Sequence, residues 1–150
     1  MKTYILLFIV LFSFTTCKKK KLEKQTKADE EAIVKYISDN KLDAIATGSG
    51  LYYVITTQGT GPSPTISSMV TVAYTGFLLN GASFDQSTAA GATFNLSGVI
   101  KGWQEGIPYF KKGGKGKLLI PSALGYGSQE TGTIPANSVL IFDINLLNVQ

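Results

Sequence analysis

The chain has 150 residues, 44% of them apolar and 16 of them glycine, which suits one ordinary domain with a real core and many tight turns. It holds no histidine and a single cysteine, which excludes a Ser-His-Asp triad, a Cys-His dyad, a histidine metal site and an intramolecular disulfide. The formal charge is +4, but residues 18–47 carry eight Lys against six acids while residues 48–150 carry five against four; the basic surplus therefore lies mainly before the domain, and nucleic acid is not an expected partner.

At the N-terminus, Lys2 precedes an apolar run from Tyr4 to Phe14. That run is shorter than the roughly 20 apolar residues a membrane-spanning helix needs. Thr15, Thr16 and Cys17 end it, and Lys18 to Lys21 follow. A lone Cys behind such a run resembles the lipobox of bacterial lipoproteins, in which the Cys becomes the acylated first residue of the mature chain. Thr16 is larger than the residue usual before that Cys, and Phe14 stands where Leu is common. A plain secretory signal with an incidental Cys and an uncleaved anchor are the other readings. The lipoprotein reading makes residues 1–17 a signal peptide and puts a lipid on Cys17. It places the chain on a membrane of a bacterial cell envelope, facing the periplasm or the exterior. A lipid beside a lysine tetrad is a two-signal membrane anchor, although the lysines serve equally as a solvated spacer.

From Leu22 to Ala46 the pattern is helical and charged. Ala32, Ile33, Tyr36, Ile37 and Leu42 form a narrow apolar stripe. Asp29, Glu30 and Glu31 fall near its start, where acids suit the helix dipole. Residues 18–47 thus read as a charged, partly helical spacer resting loosely on the domain and ended by Thr47-Gly48-Ser49-Gly50.

From Leu51 the period becomes two. Leu51 to Thr57 reads as a strand, and Met69 to Leu79 as a longer one with Val70, Val72 and Tyr74 on one face. Asn80-Gly81 is a turn signal. Thr93 to Leu96 fits a short strand. Val99 to Ile107 fits one short helix ending near Pro108 and Gly113-Gly114. Lys115 to Ile120 points Leu118 and Ile120 inward and Lys117 outward. Val139 to Val149 closes the chain, with Leu140, Phe142, Ile144 and Leu146 on one face. The fold class is α+β, with a mostly antiparallel sheet packed on one helix.

Four stretches resemble the FKBP family of prolyl isomerases in order and spacing: VTVAYTGFLLNGASFDQS (Val70 to Ser87), ATFNLSGVIKGWQEGI (Ala92 to Ile107), GKLLIPSALGYG (Gly116 to Gly127) and IPANSVLIFDINLLNV (Ile134 to Val149). With GSGLYYVITTQGTGPSP in front, the resemblance covers roughly residues 48–150. It implies a twisted antiparallel half-barrel around the short helix, and a shallow apolar cup. Residue by residue, Trp103 matches the floor beneath the proline ring. Tyr74, Phe84, Phe94, Val99, Ile100 and Phe142 match the walls. Asp85 matches the carboxylate that hydrogen-bonds within the site, and Tyr126 the hydroxyl at the rim. The Ile100 N–H matches the donor to a substrate carbonyl, and Ser128 to Ile134 the loop that contacts substrate. Asp85, Tyr126, Trp103 and Phe142 are the expected catalytic group.

Taken singly, Tyr74, Ile100 and Phe142 would read as core, Trp103 as packing, and Asp85 as a turn or capping residue. The joint pattern turns them into a site. Prolyl isomerisation breaks no bond and so needs no nucleophile, metal or cofactor, which fits the residues that are missing. The resemblance implies proline-containing peptides and folding proteins as partners and macrolide inhibitors such as tacrolimus and rapamycin as ligands; a monomer is the expected state, with dimerisation through the helix near Asp29 to Asn40 left open. An adaptor that binds proline with little turnover, and a scaffold lipoprotein, are the alternatives. Pro108 after the short helix, and the Ala/Gly-rich stretch from Thr88 to Thr93, depart from the family pattern and bear on substrate preference.

Overall fold

The computed structural model describes the backbone of residues 4–150 and the side chains of residues 19–150. The lipobox expectation on Cys17 therefore lies outside the described side chains. Among the described residues no helix is long and apolar enough to cross a membrane.

The first helix, α1, runs Tyr4–Asp39, so two expectations are corrected. Asp29 to Glu31 sit inside the helix and not near its start. The helix also stops short of Ala46. The N–H of Leu42 reaches the Ile37 carbonyl at 3.0 Å, and that of Lys41 reaches Ser38 at 3.2 Å. Lys41 turns left-handed with φ 51°. This is a Schellman closure with lysine where glycine is usual. Asn40 reinforces it, its amide Nδ2 donating to the Tyr36 carbonyl at 2.8 Å. With no Gly or Pro at the stop, the apolar pattern alone carries the helix too far. Ile45–Ala46 instead form a short strand, β1.

Six further strands follow: β2 Tyr52–Thr57, β3 Met69–Leu78, β4 Ser83–Gln86, β5 Ala92–Asn95, β6 Lys115–Ile120 and β7 Leu140–Val149. They make one sheet in the order β1-β2-β6-β7-β3-β4, with β5 also on β3. Every pairing is antiparallel. Alternation in β3 buries Val70 and Val72 completely and carries Tyr74 along the same face. The second helix, α2, spans only Lys101–Gly106, and a 3₁₀ turn over Ile107–Tyr109 follows it. Pro108 has no N–H to continue an α-helical ladder, which accounts for the shortening. Gly102 and Gly106 face the sheet. A Cβ on them would lie 2.4 Å from Ile120 Cγ2 and 2.6 Å from Leu118 Cδ2, so the two glycines set how closely α2 rests on β6.

The sheet buries side chains on both faces. Trp103, Ile107 and Phe110 pack with Leu118, Ile120 and Phe142 on the concave side. On the other side Ile33 of α1 packs with Val54, Leu119 and Val139, flanked by Tyr36, Ile37 and Leu42. Ile33 is wholly buried, so this part of α1 is not loosely held. Glu30 accepts a hydrogen bond from the Tyr52 hydroxyl, and Glu105 of α2 accepts from Thr47 Oγ1 at 2.6 Å and Ser49 Oγ at 2.7 Å. The segment between α1 and β2 is thereby tied to the back of α2.

Candidate active site

The first turn of α2 places Trp103 at the floor of an open cup of about 290 Å³. Three rings stand nearly perpendicular to the indole. Tyr74 of β3 lies 5.1 Å away at 89°, Phe142 of β7 5.3 Å at 81°, and Phe94 of β5 5.5 Å at 80°, centroid to centroid. Edge-to-face contact is what the ring quadrupoles favour, so the indole and the walls hold one another in place. Asp85, Gly98, Val99, Ile100 and Tyr126 complete the lining. Among the described residues two larger depressions, of about 780 and 480 Å³, run along α1. Neither gathers aromatic walls around a floor, so the smaller cup is the better candidate.

Phe84, expected as a wall, packs against one. Its ring packs edge-on against Phe142 at 5.5 Å and 89° and does not line the cup. Gly76 makes room for that pair. It lies opposite Phe142 in the ladder, and a Cβ there would meet Phe84 Cζ at 2.6 Å and Phe142 Cε1 at 2.9 Å. The loop from Ser128 to Ile134 does not line the cup either. It folds on itself through reciprocal Thr131–Ile134 backbone bonds of 3.0 and 2.9 Å.

The polar groups are few and placed. The Tyr74 hydroxyl donates to Asp85 Oδ2 at 2.8 Å. The Ile100 carbonyl accepts the N–H groups of Trp103 and Gln104 at 3.0 and 3.1 Å, while its own N–H donates to no acceptor among the described residues. Gln104 fixes this segment. Its Nε2 donates to the Val99 carbonyl at 2.7 Å and the Ser97 carbonyl at 3.2 Å. Sequence reasoning missed Gln104 and Gly98; the only signal was a polar residue one helical turn beyond Ile100. The indole Nε1 of Trp103 is buried without a partner.

Burial, the hydrogen bond to Asp85, the charge of that carboxylate and the nearby Tyr126 together push the Tyr74 phenol from 10.0 up to about 12. Burial, then the Asp85 charge, pushes Tyr126 up as well. The folded protein therefore keeps the Tyr74 proton at a pH where the unfolded chain gives it up. The stability this contributes is full below pH 10 and is lost as pH rises from 10 towards about 12. Urea midpoints should fall across that window, and less steeply in Tyr74→Phe. Tyr52, raised chiefly by its hydrogen bond to Glu30, leaves a residual slope in that variant.

The model of the FKBP-type peptidyl-prolyl cis-trans isomerase family matches residues 61–147. FKBP-type peptidyl-prolyl cis-trans isomerase FkpA of Buchnera aphidicola subsp. Schizaphis graminum is 47% identical over 133 residues, covering 87% of this chain and 52% of that protein. The protein of the same name from Escherichia coli is 44% identical over 135 residues, covering 87% and 50%. The crystal structure of FkpA from Escherichia coli superposes with a TM-score of 0.74 at 35% identity, covering 100% of this chain and 73% of that one. The chain spans about half the length of the two FkpA relatives.

Proposed function

Because the chain belongs to the FKBP-type peptidyl-prolyl cis-trans isomerase family and has that family's fold, we propose that it speeds rotation about X–Pro bonds in polypeptides folding outside the cytoplasm. The observation that carries this reading is the set of aromatic walls perpendicular to Trp103 in a cup open to solvent.

An X–Pro bond takes tens to hundreds of seconds to isomerise, because amide resonance opposes rotation by about 18–20 kcal/mol. Twisting the bond removes that resonance and makes the amide less polar. Apolar walls from Tyr74, Phe94, Val99 and Phe142 then favour the twisted state over the planar one, which is differential binding of the transition state. Trp103 offers the prolyl ring a flat floor. The free Ile100 N–H and the Tyr126 hydroxyl serve as donors that orient the substrate chain. Asp85, through its bond to the Tyr74 hydroxyl, keeps that wall upright. Phe84 braces Phe142 by edge-on packing.

The test is isomerase turnover of the detergent-solubilised full chain on a proline tetrapeptide, with and without tacrolimus. Turnover that tacrolimus blocks is the expected result. A folded chain that binds tacrolimus and turns nothing over would make the cup a binding module and overturn the enzyme reading.

Lipidation of Cys17 and a place on a bacterial envelope membrane belong to the same proposal. The apolar run from Tyr4 to Phe14, the single cysteine behind it and the lysines from Lys18 to Lys21 support them. Mass spectra of the membrane fraction should show an acylated Cys17; an unmodified Cys17 in a soluble chain would reject the anchor.

A further inference from the structure

We infer that Asp29 of α1 is a positioning residue for the cup, setting the place of Tyr126 by holding the turn that carries it. The inference rests on the isomerase reading for its activity arm and on backbone geometry for the rest. Asp29 and Ser122 are the two buried polar side chains among the described residues, at 3% and 2% exposure. They lie 93 positions apart in the chain. One carboxylate oxygen, Oδ2, accepts both the Ser122 N–H at 2.8 Å and the Ser122 Oγ–H at 2.6 Å. The other accepts from Gln25 Nε2 at 2.7 Å. No lysine pairs with Asp29 among the described residues.

Burying a carboxylate without a counter-ion is costly, and hydrogen bonds are what offset it. An apolar side chain would join two surfaces at least as well where only stability is at stake. What a carboxylate adds is direction. It fixes one backbone N–H and one hydroxyl at set distances, and so fixes the Ser122 peptide.

That peptide is the anchor of the Tyr126 turn. The Ser122 carbonyl accepts the N–H of Gly125 at 3.0 Å and of Gly127 at 2.8 Å, and Gly127 in turn accepts the Asn137 N–H at 2.7 Å. Tyr126 sits between two glycines, the backbone types with the widest conformational freedom, and Gly127 uses it with φ 64°. Tyr126 is 38% exposed, so packing alone does not lock it. The bonds to Ser122 hold both flanks, and Asp29 holds Ser122. The N-terminal helix thereby reaches the rim of the cup without touching it.

The test compares Asp29→Ala with Asp29→Asn in the detergent-solubilised full chain. Asn keeps an oxygen for both Ser122 donors; Ala keeps none. Asp29→Ala should lower kcat/KM on a proline tetrapeptide by about tenfold, and by less than about twofold when Tyr126→Phe is already present, since effects routed through one residue are not additive. Asp29→Asn should recover most of the loss. Amide hydrogen exchange supplies an arm that needs no substrate. In Asp29→Ala the Gly125 and Gly127 amides should exchange faster while those of the β3–β7 ladder keep their protection. Unchanged protection at Gly125 and Gly127 would overturn the inference. So would a loss of kcat/KM equally large in the Tyr126→Phe background, because Asp29 would then act through stability alone. If Asp29→Ala does not fold, Ser122→Ala, which removes only the Oγ donor, carries the same comparisons. A wild-type chain without turnover would overturn the isomerase reading, and the exchange arm would still decide whether Asp29 positions the Tyr126 turn.

Discussion

Trp103→Ala is expected to cost about 3–5 kcal/mol of stability, the usual range for truncating a buried tryptophan, and to abolish activity in the molecules that remain folded. The indole is 4% exposed and supports three wall rings at once. Each aromatic pair contributes about 0.5–1.5 kcal/mol beyond the area it buries. Removing the indole leaves Tyr74, Phe94 and Phe142 facing a void. One term runs the other way. The unpartnered Nε1–H is a group whose burial costs about 1–3 kcal/mol, and any replacement relieves it. Trp103→Phe keeps a ring and loses that N–H, so it should cost clearly less than Trp103→Ala while still reducing turnover through the smaller floor. Urea denaturation followed by far-ultraviolet circular dichroism checks both, since Trp103 is the only tryptophan and fluorescence would be lost with it. An Ala variant as stable as the wild type would mean that Trp103 is not the keystone of the concave core.

Much of this arrangement was legible before any coordinates. Period-two alternation marked β2, β3, β6 and β7, because each has a face that must be buried. The resemblance to the family gathered Tyr74, Asp85, Phe94, Val99, Ile100, Trp103, Tyr126 and Phe142, and the structure brings all of them to one cup. What escaped was set by contacts distant in sequence or by weak local signals. β4, with the sequence SFDQ, is four residues long and mostly exposed, too short to show a period. The stop of α1 depends on Lys41 taking a conformation that lysine rarely adopts. Phe84 is expected as a wall because it matches one in the family the sequence resembles. In the structure Phe84 is the extra residue of a bulge in β4, between Ser83 opposite Phe77 and Asp85 opposite Gly76, so strand alternation does not place its ring, which packs on Phe142. Asp29 resembled any acid on a charged helix. Nothing within ten positions of it hints at Ser122, and only the packing of α1 across the sheet brings the two together.

Ile33→Ala is the second large effect, expected at about 2–5 kcal/mol for a fully buried isoleucine. The reason lies in β6. Leu118 and Ile120 fill the concave core, while Leu119, between them, points the other way and is equally buried. A strand with both faces apolar needs cover on both sides. α2 covers one side, and Ile33 with Tyr36 and Ile37 covers the other. Thermal denaturation should therefore show a clear loss for Ile33→Ala, and a larger one for a chain cut to begin at residue 48, which would uncover Val54, Leu119 and Val139 together. The cup lies across the sheet from Ile33, so kcat/KM measured well below the melting temperature should stay near wild type in Ile33→Ala. That contrast separates two roles on one helix. Ile33, one turn beyond Asp29, would affect stability and spare the reaction, whereas Asp29 would affect the reaction through Tyr126. If Ile33→Ala melted like the wild type, α1 would be a spacer after all, and the coupling assigned to Asp29 would lack the rigid support it requires.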